Sequence, residues 1–427
     1  MKNLFIAFAA FLFLGGVFTS CLKDKCVSTK TFVRFDPIYL SAEQIRGEVT
    51  VEAFRELKSP GKIYVFQNYL LINEINEGIH IFDNSHPENP IPLAFLKIAG
   101  NVDMAVRGNY LYADQYTDLL TFDISNMLQP QLTCRAENVF QLYGHDPYRG
   151  YLVGYTQTDV TETLSCDDDR ANQVWWRGGP EIFVAFDALD NSGRPNTASS
   201  NTGNLLASAT GVSGSYARIS FNQNYLYAVD NSSLYPFSLS SPDCPTKGSQ
   251  LTVGWNIETI FPWKNYLFLG SQNGVYMYDA RNPNAPTYVS FFQHATGCDP
   301  VVCDDKNAYV TIHDGTTCNG TNINQLDIIG IEHMPQTSLL KSYPMVKPFG
   351  LSLRDNLLFL CDDGLKIFDR SDVYNLKLLS HTKQIKAWDI ISLNDGLTMV
   401  VGEDGFLQFD TSDPANPREI SRIAVSR

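Results

Sequence analysis

Short runs of apolar residues, most of them closed by an acidic residue, recur along the chain. IHIFD (79–83), LLTFD (119–123), FVAFD (183–187), LYPFS (234–238), VYMYD (275–279), LDIIG (326–330), LKIFD (365–369) and FLQFD (406–410) read as eight forms of one strand. Their fourth residues lie 40, 64, 51, 41, 51, 39 and 41 positions apart. A period near 40 marks a solenoid or a propeller. Each run has the same surroundings. Upstream, a second strand starts at a turn residue, as in NYLLINE (68–74), NYLYAD (109–114), NYLYAVD (224–230), NYLFLG (265–270), NAYVTI (307–312) and NLLFLC (356–361). Asn at the start suits a turn that tolerates left-handed backbone. Before it lies another apolar stretch, such as DMAV (103–106) or ETIF (258–261). Downstream, prolines lead into a fourth strand, as in PIPLAFLKI and PREISRIAV. Helical periodicity is nearly absent. Four short strands per unit of about 40 residues are the blades of a propeller.

The details suit a blade. Ile79 and Ile81 point one way and Phe82 the other, yet all are apolar. A strand covered on both faces can be apolar throughout. Pro lacks a donor and stands before the outermost strand, where none is needed. The recurring Asp can accept N–H bonds two residues on, forming an Asx-turn. The expected fold class is therefore all-β, a single β-propeller of about eight four-stranded blades, with seven as the alternative count. Residues 49–56 are expected to join the last blade beside the C-terminal strand. Such a strand would tie the seam with backbone hydrogen bonds and cover an open edge.

The strings GIHIFDNSHPENP (78–90), MYDARNPNAP (277–286) and QFDTSDPANP (408–417) resemble the LVIVD-repeat family. These are exported bacterial propellers, common among Bacteroidota lipoproteins. The resemblance covers roughly residues 60–427. It implies architecture and assigns no reaction.

The N-terminus adds to this. Lys2 precedes the apolar stretch LFIAFAAFLFLGGVF (4–18), which is short for a membrane span of about 20 residues. It ends in FTSC. Thr19 and Ser20 before Cys21 resemble a bacterial lipoprotein signal, with Phe18 where Leu is usual. That resemblance implies cleavage before Cys21 and lipidation of its thiol, so the mature protein is anchored and does not span. The expected organisation is a signal peptide over 1–20, a lipid-anchored tether over 21–47 and the propeller over 48–427. The expected place is the cell envelope, as an outer-membrane lipoprotein facing the periplasm or the cell surface.

Composition narrows the partners. A formal net charge of −14 makes nucleic acid an unsuitable partner, since binding it needs Lys and Arg against phosphates. Eight cysteines remain beside Cys21, and an exported protein can oxidise them. Cys298 and Cys318 flank one short strand–loop segment and are the expected disulfide. No CxxC or clustered His suggests a structural zinc site.

Candidate chemistry falls in three places. Aligning the first strand of each unit puts Lys62, Asp103, Gln141, Arg218, Glu258, Asp299, Gly350 and Asp389 at one level of the channel mouth. Convergent carboxylates there could hold Ca²⁺, which takes several hard oxygen ligands; a solvated rim with internal ion pairs is the simpler reading. The insertion TETLSCDDDRANQVWWRGG (161–179) offers Trp175 and Trp176 as loop anchors, unless they cover a small core of their own. The segment GCDPVVCDDKNAYVTIHDGTTCNG (297–320) holds Cys303, His313 and Asp314, but cystine bonding explains its cysteines more simply than a Cys–His nucleophile. No catalytic motif is found and no cofactor is required. The expected function is a lipid-anchored binding module for protein or glycan. The alternative is a channel-centred, calcium-dependent hydrolase or lactonase.

Overall fold

The computed structural model describes residues 27–142, 144–165, 212–213, 217–294, 300–313 and 323–426. The repeat folds as its alternation dictates. Blade I is the antiparallel meander Pro60–Phe66, Tyr69–Glu74, Gly78–Asp83 and Ile91–Lys97. Blade II follows with Met104–Arg107, Tyr110–Gln115, Asp118–Asp123 and Gln131–Ala136. Blade III is Ile219–Asn222, Tyr225–Val229 and Ser233–Ser238, with its outer strand in two pieces, Thr246–Lys247 and Leu251–Thr252. Blade IV holds Ile257–Trp263, Tyr266–Ser271, Gly274–Asp279 and Thr287–Gln293. Blade V holds Val301–Cys303, Asn307–Ile312, Gln325–Gly330 and Ser338–Pro344. Blade VI holds Pro348–Arg354, Leu357–Asp362, Leu365–Asp369 and Lys377–Thr382. Blade VII holds Ala387–Ser392, Leu397–Gly402, Gly405–Asp410 and Arg418–Ile423.

The all-β propeller expected from the repeat is thus what forms. The described residues make eight sheets, of which seven carry the four-strand meander. First strands of consecutive blades pack together, and blade VII packs back onto blade I, so these seven close a cycle. The eighth sheet is three-stranded, from Val27–Leu40, Gly150–Ser165 and His145–Asp146. The repeat copy at 183–187 lies outside the described residues. Blade II meets blade III directly, although residues 137–218 separate them in sequence.

Burial explains the repeated phrase. Its fourth residue, an aromatic in most copies, is wedged between blades: Phe82, Phe122, Phe237, Phe368 and Phe409 are all buried. Burying such a side chain contributes about 1.5–3 kcal/mol. Next to it the outer strand bulges by one residue in blades I, II, IV, V, VI and VII. A bulge bends the strand and sharpens its twist, as a radial blade requires. The closing Asp makes the expected Asx-turn: Asp83, Asp123, Asp279, Asp369 and Asp410 each accept the N–H two residues on, at 2.8–3.0 Å. The phrase opens on Gly because Gly78, Gly364 and Gly405 have φ of 145°, 114° and 107°, and a Cβ there would strike the carbonyl of Leu96, Thr382 or Ile423.

The seam is closed differently from expectation. Thr50–Ala53 pairs with Ile91–Lys97 and adds a strand to the outside of blade I, not to blade VII. Side chains close the ring instead. Leu57, Ile63, Leu70 and Phe82 pack against Ile391, Met399, Val401 and Phe406. Gln408 exchanges amide hydrogen bonds with Asn84 at 2.8 and 2.9 Å and donates to the Pro87 carbonyl. Ser426 N–H donates to the Leu57 carbonyl at 2.8 Å. With apolar side chains interlocked at every junction, the last one needs no ladder.

The described residues fall into two units: 27–37 with 155–165, and 38–154 with the described residues from 212 onward. Of the smaller unit, 27–37 and 155–165 belong to paired strands, with Phe35 edge-on to Tyr155. The expected tether is therefore not featureless. In the larger unit, Ser41 caps the one-turn helix Ala42–Ile45 through a full capping box, and Arg46 docks on Asp118 of blade II at 2.8 Å. Among the described residues no helix is long and apolar enough to cross a membrane.

Candidate functional site

Three of the aligned channel-mouth residues meet. Lys62, on the first strand of blade I, is fully buried and pairs with Asp103 at the entry to blade II. The other oxygen of Asp103 accepts the backbone N–H groups of Arg218 and Ile219, at 2.6 and 2.8 Å, where blade III begins. One carboxylate thus binds three blades. Glu258 lies on blade IV and accepts from Gln272 at 3.1 Å. Asp389 is buried on blade VII and accepts the N–H of Ile390 at 2.5 Å. Gln141 is exposed in the connection after blade II and lies on no first strand. Asp299, Trp175, Trp176, Cys298, Cys318 and Cys21 lie outside the described residues.

Among the described residues, no three His, Cys, Asp or Glu side chains group so as to hold a metal ion. Asp103 already spends its oxygens on an ammonium and on backbone donors. A short strand, Val212–Ser213, also pairs with Val65 and Tyr64 on the free edge of the first strand of blade I. It covers backbone groups that would otherwise face the channel. The Cys–His pairing fails on protonation. Burial, with Asp304 adding to it, raises the Cys303 thiol well above its ordinary range. Burial and the nearby Lys347 lower His313 to about 3. A nucleophilic cysteine needs the opposite shift.

One recurrent site escaped the alignment, although its signal is in the repeat. The second strand ends in an acid in NYLLINE, NYLYAD and NLLFLCD (356–362). Each acid receives the chain entering its blade. Glu74 accepts the N–H of Lys58 and Ser59, Asp114 those of Val102 and Asp103, and Asp362 those of Val346 and Lys347. Each also takes a third partner: His80 at 2.9 Å, Asn101 at 2.8 Å and Lys366 at 2.6 Å respectively. Burial pushes Asp114 up to about 6 despite Arg218 nearby. Burial also works to raise Glu74, but His80 and the two N–H donors outweigh it and hold its carboxyl below the usual range. These are structural groups, each anchoring a blade entry.

The two ends of the propeller differ. On one, all seven connections from third to fourth strand have seven residues, and most first-to-second turns have two. On the other, second-to-third connections run from two residues (116–117) to twelve (313–324), and blade-to-blade connections reach 137–218. Large variation in connection length is confined to one end. A rigid scaffold with variable loops at one end is how binding proteins carry specificity.

These features define a β-propeller with one variable face. The LVIVD repeat family matches residues 99–136 and 207–239, and the chain carries LVIVD repeats. No match was found among curated proteins. A crystal structure of a protein from Lactobacillus plantarum is similar, with 8% identity, a TM-score of 0.51, and 86% of this chain and 96% of that one covered. At that identity the likeness concerns the fold alone. BamB from Moraxella catarrhalis matches with 8% identity and a TM-score of 0.45, covering 90% of this chain and 96% of its own. Hsv2 from Kluyveromyces lactis matches with 10% identity and a TM-score of 0.46, covering 84% and 97%.

Proposed function

We propose that the protein is a lipid-anchored binding module of the cell envelope, presenting the variable end of its propeller to a protein partner. The observation that carries this is the confinement of long connections to one end of an otherwise uniform ring. Seven stacked blades supply rigidity, and loops grafted on a rigid element bind with little ordering cost. The Trp175–Trp176 pair in the longest connection has the composition of an interface anchor. The signal-like start and Cys21 supply the anchor.

The test has two arms. Replacing 166–179 with a Gly-Ser linker of equal length, which spares the strand Gly150–Ser165, leaves the melting temperature unchanged and abolishes the crosslinked partners that the parent chain forms in intact envelopes. Retention of the same crosslinks sinks the partner face. Cys21→Ser moves the protein from the membrane fraction to the soluble fraction; unchanged fractionation counts against the anchor.

A further inference from the structure

The uniform end opens into a cleft beside blade V. In blades II and III a second-strand tyrosine reaches the next blade's seven-residue connection: Tyr112 donates to the Pro242 carbonyl at 2.8 Å and Tyr227 to that of Pro283 at 2.7 Å. In blade IV the same position is Phe268, which has no hydroxyl to donate; Leu71, Phe359 and Met399 in blades I, VI and VII also lack one. The facing connection in blade V reads IEHMPQT (331–337), without the Asp-led phrase. A cleft of about 1100 Å³ lies here, across blades IV, V and VI.

Its walls carry aromatic rings, and four of its seven charged side chains are matched in pairs. Trp263 is half-buried at one side, and Tyr374 is 53% exposed. Arg370 pairs with Asp304 and donates to Tyr309 at 2.9 Å, while Lys264 pairs with Asp305 at 2.7 Å. Those pairs neutralise two of the three cations and two of the four carboxylates in the lining. Nothing there recruits an anion, and the chain's overall charge of −14 repels one. What remains is aromatic surface beside amides and hydroxyls, including Asn356 in an exposed turn. Aromatic rings take the apolar face of a sugar, and flanking amides and carboxylates take its hydroxyls.

We infer that this cleft binds a neutral oligosaccharide, independently of the partner face at the other end. The test is calorimetric titration of the full chain in detergent with cellohexaose, mannohexaose and maltohexaose, and with hexagalacturonate as the acidic comparison. At least one neutral hexamer binds at millimolar concentration or below. Tyr374→Ala weakens it about tenfold, which is about 1.4 kcal/mol. Asn356→Ala, a change in an exposed turn, weakens it severalfold and serves as a second variant should the first perturb folding. The linker replacement of 166–179 leaves it unchanged. Failure of all three neutral hexamers to bind, stronger binding of hexagalacturonate, or binding that survives both variants would overturn the inference.

Discussion

Replacing Asp103 with Ala destabilises the propeller by about 3–5 kcal/mol, the usual cost of breaking a buried ion pair from one side. The substitution removes the carboxylate that pairs with fully buried Lys62. It also deprives the N–H groups of Arg218 and Ile219 of their acceptor at the start of blade III. An orphaned buried donor costs about 1–3 kcal/mol by itself. Asp103→Asn keeps an oxygen for those donors and removes only the charge, so it loses less. Lys62→Met removes the charge that needs pairing and leaves Asp103 its backbone partners, so it too is milder. Because both groups act on one network, the Lys62→Met and Asp103→Asn effects are less than additive in the double variant. Chemical denaturation of the four proteins measures this. An Asp103→Ala loss below about 1 kcal/mol would contradict the geometry, since it lies within the range of ordinary surface changes.

That residue marks how far the sequence could be read. The strand pattern of IHIFD and NYLLINE is a local signal, because alternation and turn chemistry act over a few residues. It therefore places most blades, Asx-turns and first strands, though Gln141 lies on no first strand and seven described sheets carry the meander. Asp103, Lys62 and Arg218 were aligned as neighbours in depth, and they are neighbours. Their role was not legible. Whether a carboxylate faces a wet channel or a buried ammonium depends on the neighbouring blade's rotation, which no local pattern encodes. The strand at 49–56 shows the same limit. EVTVEAF alternates like any edge strand, and Thr50 found Lys97 rather than the C-terminal strand. Both outer edges offered the same backbone donors and acceptors, so pairing was decided by the path of the chain between Ala53 and Pro60. The acids at Glu74, Asp114 and Asp362 were visible as a recurring letter at the end of each second strand. They were passed over because the third-strand Asp carried the stronger repeat.

The cysteines supply the second large effect. Cys134 on the outer strand of blade II is bonded to Cys244 in the third-to-fourth connection of blade III, with Cα atoms 5.0 Å apart. The sequence separation is 110 residues, and this is the junction at which the long 137–218 connection leaves the ring. Elsewhere a blade-to-blade link of a few residues limits how far neighbours can drift. Here the chain imposes almost no limit, so the crosslink takes over that role. Thr133 supports it by donating to the Asp243 carbonyl at 2.6 Å, as does Lys247, which donates to the Asn138 carbonyl at 3.2 Å. Closing a loop of that length restricts the unfolded chain by about 4–5 kcal/mol in the entropic account, and about 2–4 kcal/mol is the usual measured effect. The Cys134→Ser/Cys244→Ser double variant is expected to lose stability in that lower range. Its denaturant slope rises, because the unfolded chain expands and exposes more surface. Reductant added to the parent protein reproduces the loss. A parent chain whose unfolding midpoint ignores reductant would show that the bond is absent, and that blades II and III are held by Asp103 and packing alone.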